Sequence, residues 1–229
     1  MRSVSNDVRR YIVLLSLVVV GASCGSQRAV AEPLDVRDSI VRLAGTACLK
    51  PILATAFVVA SGTIVTVAHG IAGVEEDLRV IDSLGGVHDV DVMAFDDQLD
   101  IAVLSVDGFD GTPINAAQAV PGTSGVVAAM TVDSDIALID YEVLRNVNAR
   151  TADIYNDGTV ERAAVDVRSD VQRGTSGAPL LNDKGEYIAM LFAISSDRES
   201  GVYALAASEI VDYLSTATMG THVDRGRCR

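Results

Sequence analysis

Ser176 stands between glycines in Gly174-Thr175-Ser176-Gly177-Ala178-Pro179-Leu180, directly ahead of an apolar run. A serine hydroxyl is a weak nucleophile until a neutral imidazole can take its proton, and the imidazole needs a carboxylate to fix its tautomer. Only three histidines exist, His69, His88 and His222, so candidates for the base are few. His69 follows a β-branched run in Thr66-Val67-Ala68-His69-Gly70, and Asp100 opens another in Asp100-Ile101-Ala102-Val103-Leu104. His69, Asp100 and Ser176 can fill the roles of base, orienting acid and nucleophile. The flanking glycines let the chain turn sharply, so that the N–H groups of Gly174 and Ser176 can converge on the oxygen that gains charge in acyl transfer, forming an oxyanion hole. Asp96 and Asp97 rival Asp100, but neither directly precedes the apolar run, and both read as turn carboxylates. Asp170, six residues before Ser176, is a candidate for a specificity pocket that favours a basic side chain; the plainer reading is a loop Asp with a structural hydrogen bond. His88 reads as a surface strand residue, and His222 has no partner in the pattern.

The elements that must position these groups follow from periodicity. From residue 39 onward the chain consists of short β-branched runs separated by Gly, Asp, Asn and Ser, with no long 3.6-residue period. Strands are expected at 39–43, 54–60, 63–66, 78–83, 87–94 and 101–105, then at 125–131, 136–147, 163–167, 178–181, 187–194 and 202–205. Asn156-Asp157-Gly158 and Asp183-Lys184-Gly185 supply hairpin turns. Residues 113–125, rich in Pro, Gly and small side chains, read as a linker, and 208–214 as a short helix capped by Ser208. With no Trp and 4% aromatic residues, the core must be Val, Ile, Leu and Ala. Small closed barrels suit such side chains, and closure removes exposed sheet edges. The expected fold is all-β: two six-stranded antiparallel β-barrels with a short C-terminal helix. Residues 32–120 would form the first barrel, carrying His69 and Asp100, and 121–215 the second, carrying Ser176. A single large sandwich is the alternative, disfavoured by the linker.

Composition narrows the function classes. The 229 residues are 49% hydrophobic and 21% charged, enough to bury a sizeable core and too apolar for a disordered chain. Lys and Arg total 18 against 31 Asp and Glu; without residues 1–24, which hold three Arg and one Asp, the balance is 15 minus 30, or −15. No basic face is available for nucleic acid. Three scattered cysteines give no metal-binding spacing, so neither a metal nor another cofactor is expected. Arg9 and Arg10 precede an apolar run over 11–23, short for a membrane span and right for a signal peptide. Export has three open forms: lipid attachment at Cys24 of a loose lipobox with residues 25–31 as tether, cleavage after Ala29-Val30-Ala31, or an uncleaved anchor. All three place the domain in the periplasm, the cell envelope or the medium. In an oxidising compartment Cys48 and Cys228 would pair, bringing the tail at 216–229 back to Cys48 and contributing at most about 5 kcal/mol through loop closure; two unpaired thiols are the other reading.

The order His69, Asp100, Ser176, with gaps of 31 and 76 residues, resembles that of the trypsin-like (chymotrypsin-fold) serine proteases. Ala54-Thr55-Ala56-Phe57-Val58-Val59 and Thr66-Val67-Ala68-His69 are similar to the stretch around that family's base, Asp100-Ile101-Ala102-Val103-Leu104 to its acid motif, and Gly174-Thr175-Ser176-Gly177-Ala178-Pro179-Leu180 to its nucleophile loop. The likeness spans roughly residues 39–215 and is nearest to exported bacterial branches, the HtrA-type and especially the MarP-like acid-resistance periplasmic proteases. Asp153-Ile154-Tyr155-Asn156-Asp157-Gly158, residues 185–214 and the Cys48 and Cys228 pair also resemble that group. The resemblance implies a double barrel with its site in the cleft between barrels, an exported endopeptidase acting on polypeptides, and a role in envelope stress or acid resistance. No PDZ module is expected after residue 214. Two residues depart from the pattern: Thr175 stands where Asp or Asn is usual, and Ala178 where Gly is usual. A methyl beside the nucleophile needs negative φ and room behind it. These departures motivate a second reading, a catalytically inactive or gated scaffold that binds peptides or partner proteins. An α/β-hydrolase elbow fails at Ala178 and lacks a suitable His after the Ser.

Overall fold

The structure is a computed structural model and describes residues 35–229 except 76, 134, 221 and 222. The candidate signal segment, Cys24 and His222 lie outside the described residues.

The β-branched runs pair into two closed antiparallel barrels. The first orders its strands β1 (Ile40–Ala44), β4 (Ala54–Ala60), β5 (Thr63–Thr66), β8 (Ile101–Val106), β7 (Val87–Asp96) and β6 (Arg79–Ile81). A two-residue pair, β2 (Thr46–Ala47) and β3 (Lys50–Pro51), stands apart from it. The second barrel orders β10 (Ile136–Ala152), β11 (Thr159–Ser169), β14 (Gly201–Ala206), β13 (Tyr187–Ile194), β12 (Pro179–Leu181) and β9 (Ser124–Met130). One helix, α1 (Ala207–Thr216), follows. Both barrels belong to one compact unit, Leu34–Arg229.

Aliphatic side chains fill each barrel, as the lack of aromatics requires. Leu43, Ile64, Ile71 and Leu104 lie in the first interior, and Val127, Val167, Leu180 and Leu191 in the second. A third cluster joins the two: Phe57, Val65 and Ile101 from one side meet Met130, Leu181, Tyr187 and Met190 from the other. There the rings of Phe57 and Tyr187 lie 5.0 Å apart and tilted, a favourable aromatic geometry.

Four details depart from the sequence expectation. The β2–β3 turn runs through Cys48 and Leu49, both with positive φ (55° and 65°), a shape usually signalled by Asn-Gly. Strand β10 extends to Ala152 and β11 begins at Thr159, because their ladder continues past the barrel as a hairpin whose outer side chains alternate without a strong apolar signal. The helix begins one residue earlier than expected, and Ser208 does not cap it: Ala206 is the N-cap and makes no side-chain cap bond. Glu209 in the first turn instead accepts a hydrogen bond from the Ala163 N–H at 2.8 Å. His88 is half-buried rather than a free surface residue, with Nε2 bonded to Asp82 Oδ2 at 2.9 Å.

The C-terminal tail returns across the first barrel. The Gly220 N–H donates to Met93 O, the Gly73 N–H to Arg225 O, both at 2.9 Å, and Cys228 joins Cys48 in a disulfide with Cα atoms 5.6 Å apart. Gly73 (φ +69°) is required here, since a Cβ would meet Cys48 Sγ at 2.7 Å. Arg227 lies over the Tyr155 ring and pairs with Asp157, so the tail also grips the β10–β11 hairpin.

Asp166 is fully buried in β11 and bonded by Arg145 Nε at 2.9 Å and by the Arg198 guanidinium. Burial opposes its charge, but the two arginines prevail and hold the carboxyl below its ordinary value. Asp82, bonded by His88, Gly86 and Leu84, and Asp153, whose Oδ1 accepts the Tyr155 and Asp157 N–H groups, are likewise depressed against the opposing effect of desolvation. A carboxyl with a depressed folded pKa contributes stability above its unfolded value, near 3.9 for Asp, and loses it as pH falls through the folded value. The thermal midpoint is therefore expected to stay level from about pH 8 to 5 and fall below about pH 4. Asp166→Asn should lower the unfolding free energy on that plateau by about 3 kcal/mol and flatten the acid limb. A steep fall between pH 7 and 6 in scanning calorimetry would contradict this.

Candidate active site

Strand β5 ends at Thr66, and a single 3-10 turn, Ala68–Gly70, follows at the barrel rim. It turns the His69 side chain toward the start of β8, where Asp100 precedes Ile101. Asp100 is 4% exposed and has φ +61°, a left-handed conformation that an L-residue adopts only where its surroundings enforce it. What it gains is a two-point grip. Oδ1 accepts the backbone N–H of His69 at 2.8 Å, and Oδ2 accepts Nδ1 at 2.7 Å. An ionised carboxylate can only accept, so Nδ1 carries a proton, and in the neutral ring Nε2 is the nitrogen left with a lone pair.

The Ser176 loop precedes β12 in the second barrel, yet it is seated on the first. Ser176 O accepts the Thr55 N–H at 2.9 Å, and Thr55 O accepts the Thr66 hydroxyl at 2.7 Å. Thr55 also takes the Met130 N–H on its hydroxyl at 3.1 Å, so one buried threonine ties β4, β5, β9 and the Ser176 loop together. Gly177 (φ +83°) fits against this shelf because it has no side chain: a Cβ would lie 2.1 Å from Thr55 O and 2.5 Å from Thr66 Oγ1. These contacts bring Ser176 to the end of β5, where the His69 turn begins. Among the described residues neither Ser176 Oγ nor His69 Nε2 has a hydrogen-bond partner; such bonds often tighten only when substrate is present.

The loop leaves two backbone donors free. Gly174 has φ +100°, and a Cβ there would meet nothing within 4 Å. The N–H groups of Gly174 and Ser176 have no protein acceptor among the described residues, whereas Gly177 donates to Leu191 O at 2.8 Å and Ala178 to Thr175 O at 3.0 Å. The two unusual residues are accommodated. Ala178 lacks positive φ and is fully buried in the interior of the second barrel, and the Thr175 hydroxyl closes the loop by donating to Gln172 O at 2.8 Å.

Asp170 is exposed and accepts a hydrogen bond from the Ser200 hydroxyl. It lines a surface groove of about 560 Å³ with Tyr141, Glu142 and Arg168, and none of His69, Asp100 or Ser176 reaches that groove. Asp96 caps the turn before Asp100, accepting the N–H groups of Gln98 and Leu99 at 2.9 and 2.7 Å. The role of Thr55 has no signature in the sequence, since a Thr in a strand is ordinary.

A model of the trypsin-like peptidase domain matches residues 54–190, more than half of the chain. The chain belongs to the trypsin-like peptidase family. Its similarity to the serine protease Rv3671c of Mycobacterium tuberculosis is 25% identity over 203 residues, 87% of this chain and 50% of that protein. This trypsin-like peptidase chain thus spans about half the length of the curated relatives it matches. The crystal structure of the active form of the Rv3671c protease aligns with a TM-score of 0.80 at 25% identity, covering 84% of this chain and 86% of that one. The serine endoprotease from Yersinia pestis shares the fold at a TM-score of 0.64 and 15% identity, covering 79% of this chain and 62% of that one.

The two small-residue positions of the loop should separate by substitution. Gly177→Ala, which forces a methyl into Thr55 O at unfavourable φ, is expected to cost at least about 2 kcal/mol in urea unfolding. Ala178→Gly should cost about 1 kcal/mol, for a lost methyl and a looser backbone. The reverse order would remove the shelf as the feature that seats the loop.

Proposed function

We propose that this domain is an exported serine endopeptidase in which Ser176 attacks the peptide carbonyl, His69 is the base and Asp100 orients it. The observation that carries the reading is the double grip of Asp100 on His69, which fixes the proton of a neutral ring on Nδ1 and leaves Nε2 as the free nitrogen at the rim where the Ser176 loop is seated. Nε2 takes the hydroxyl proton as Oγ bonds to the carbonyl carbon, and the carbonyl oxygen becomes an anion facing the Gly174 and Ser176 N–H groups. His69 then passes the proton to the leaving amine, the acyl-enzyme forms, and a water activated by the same imidazole releases the acid product. Asp100 stays ionised throughout and stabilises the imidazolium.

The fold lies nearer to the active form of the Rv3671c protease than to its inactive form, whose TM-score is 0.68 at 23% identity, with 79% of this chain and 89% of that one covered. That proximity supports the active reading. The domain works outside the cytoplasm, in line with the apolar segment at 11–23 and the disulfide, and it serves under acid or envelope stress, in line with its depressed carboxyls. A gated scaffold is the competing reading, favoured by the open contact between Ser176 and His69.

Labelling with a fluorophosphonate probe decides between them. The wild-type protein should label at Ser176, Ser176→Ala should not label, and Asp100→Asn should react about ten-thousand-fold more slowly by loss of the correct tautomer. A folded wild-type protein that stays unlabelled from about pH 4.5 to 8, the span over which carboxylates and imidazole titrate, would favour the scaffold.

A further inference from the structure

We infer that Arg162 is a positioning residue for the His69–Asp100 pair: reaching from the second barrel, its guanidinium fixes the Leu99–Asp100 peptide and offsets the buried negative charge of Asp100. The inference rests on the proposed role of that pair. Arg162 lies in β11 and is 3% exposed, unusual for a residue that carries a permanent charge. Burial of this kind is costly unless specific partners compensate it. Among the described residues no carboxylate bonds it directly. Nη1 donates to Leu99 O at 3.1 Å and Nη2 to Ala152 O at 3.3 Å, and the guanidinium carbon stands 5.0 Å from the centre of the Phe192 ring. Nε has no partner.

Two facts give this placement a consequence at the site. The peptide it holds is the one immediately before Asp100, whose left-handed backbone must be enforced from outside. The Leu99 N–H is tied to Asp96 Oδ1 at 2.7 Å, and the Leu99 carbonyl is tied to Arg162, so both sides of the preceding residue are pinned. Phe192, under the guanidinium, adjoins Leu191, whose carbonyl receives the Gly177 N–H. One cation therefore stands between the peptide of Asp100 and β13, the strand that hydrogen-bonds the Ser176 loop.

Electrostatically, Asp100 and Asp96 beside β8, Asp153 of the hairpin and Glu209 of α1 all face Arg162; burial lowers its affinity for a proton and these four carboxylates raise it. The positive charge favours the ionised form of Asp100 and repels a charge on the neighbouring imidazole.

The test pairs a readout at His69 with one at Ser176. Arg162→Gln keeps hydrogen-bond donors and removes the charge, Arg162→Met removes both, and Arg162→Lys restores the charge. By NMR titration of the purified protein, the His69 midpoint should rise by about half a pH unit in the Gln or Met variant and return to its wild-type value with Lys. Fluorophosphonate labelling should slow about tenfold in Met through misplacement of the pair, with Gln recovering part of the loss. Either neutral variant that folds decides the matter, and Lys alone should restore the midpoint while labelling below the wild-type rate. A folded neutral variant with the wild-type midpoint and labelling rate overturns the inference, as does a Lys variant that labels at the wild-type rate. A wild-type protein that never labels, yet whose His69 midpoint moves on Arg162 substitution, overturns the protease reading and leaves the coupling in place.

Discussion

A buried carboxylate gripping a histidine at two points is the constraint around which the rest of the domain is arranged. Asp100 reaches both the backbone N–H and the ring of His69 only by adopting a left-handed backbone at the first step of β8. Such a conformation is held by its neighbours or not at all. The neighbours are identifiable: Asp96 caps the turn before it, the β5–β8 ladder pairs Thr66 with Ala102 just beyond it, and Arg162 holds the carbonyl in front. The polarity of the pair follows from this geometry, with the proton on Nδ1 and the lone pair on Nε2.

The second half of the site is brought to the first by a contact between barrels that involves almost no side-chain chemistry. The Ser176 loop leans on Thr55 and Thr66 through one backbone hydrogen bond and one glycine packed closer than a methyl could be. Because β13 also holds the loop, through Gly177 to Leu191 and Leu191 to Ala178, its position is fixed from both barrels. The apolar cluster between barrels and the returning tail resist any change in that register. The disulfide closes a separation of 180 residues, and Arg227 adds a grip on the hairpin that packs Ile154 against Ala68 and Ala72 beside His69.

Much of this was legible in the sequence, and the remainder has a common cause. The barrel strands announce themselves because their inward side chains repeat every second residue, and β4, β5 and β13 fall where the pattern puts them. The turn at Cys48-Leu49 carries no turn signal, because the tail that packs on it from 180 residues away stabilises it. The outer half of the β10–β11 hairpin is exposed on one face, so its alternation is too polar to read. Asp82 pairs with His88 across a tight turn, and Arg162 serves Asp100 across two barrels; each is a tertiary pairing between residues that are ordinary one at a time. The same holds for Thr55. Ala178 is the opposite case, an apparent fault in a motif that a non-positive φ and a core position make harmless.

The central claim is that three residues from two barrels share one proton at one crevice, with two loop N–H groups ready for the anion that results. A crystal structure of the fluorophosphonate adduct tests it most directly. The account predicts phosphorus bonded to Ser176 Oγ, one phosphoryl oxygen about 2.7–3.1 Å from both the Gly174 and Ser176 nitrogens, and His69 still held by Asp100 with Nε2 toward Ser176 Oγ. A Gly174 N–H turned to solvent, or a His69 ring parted from Asp100 in the adduct, would contradict it.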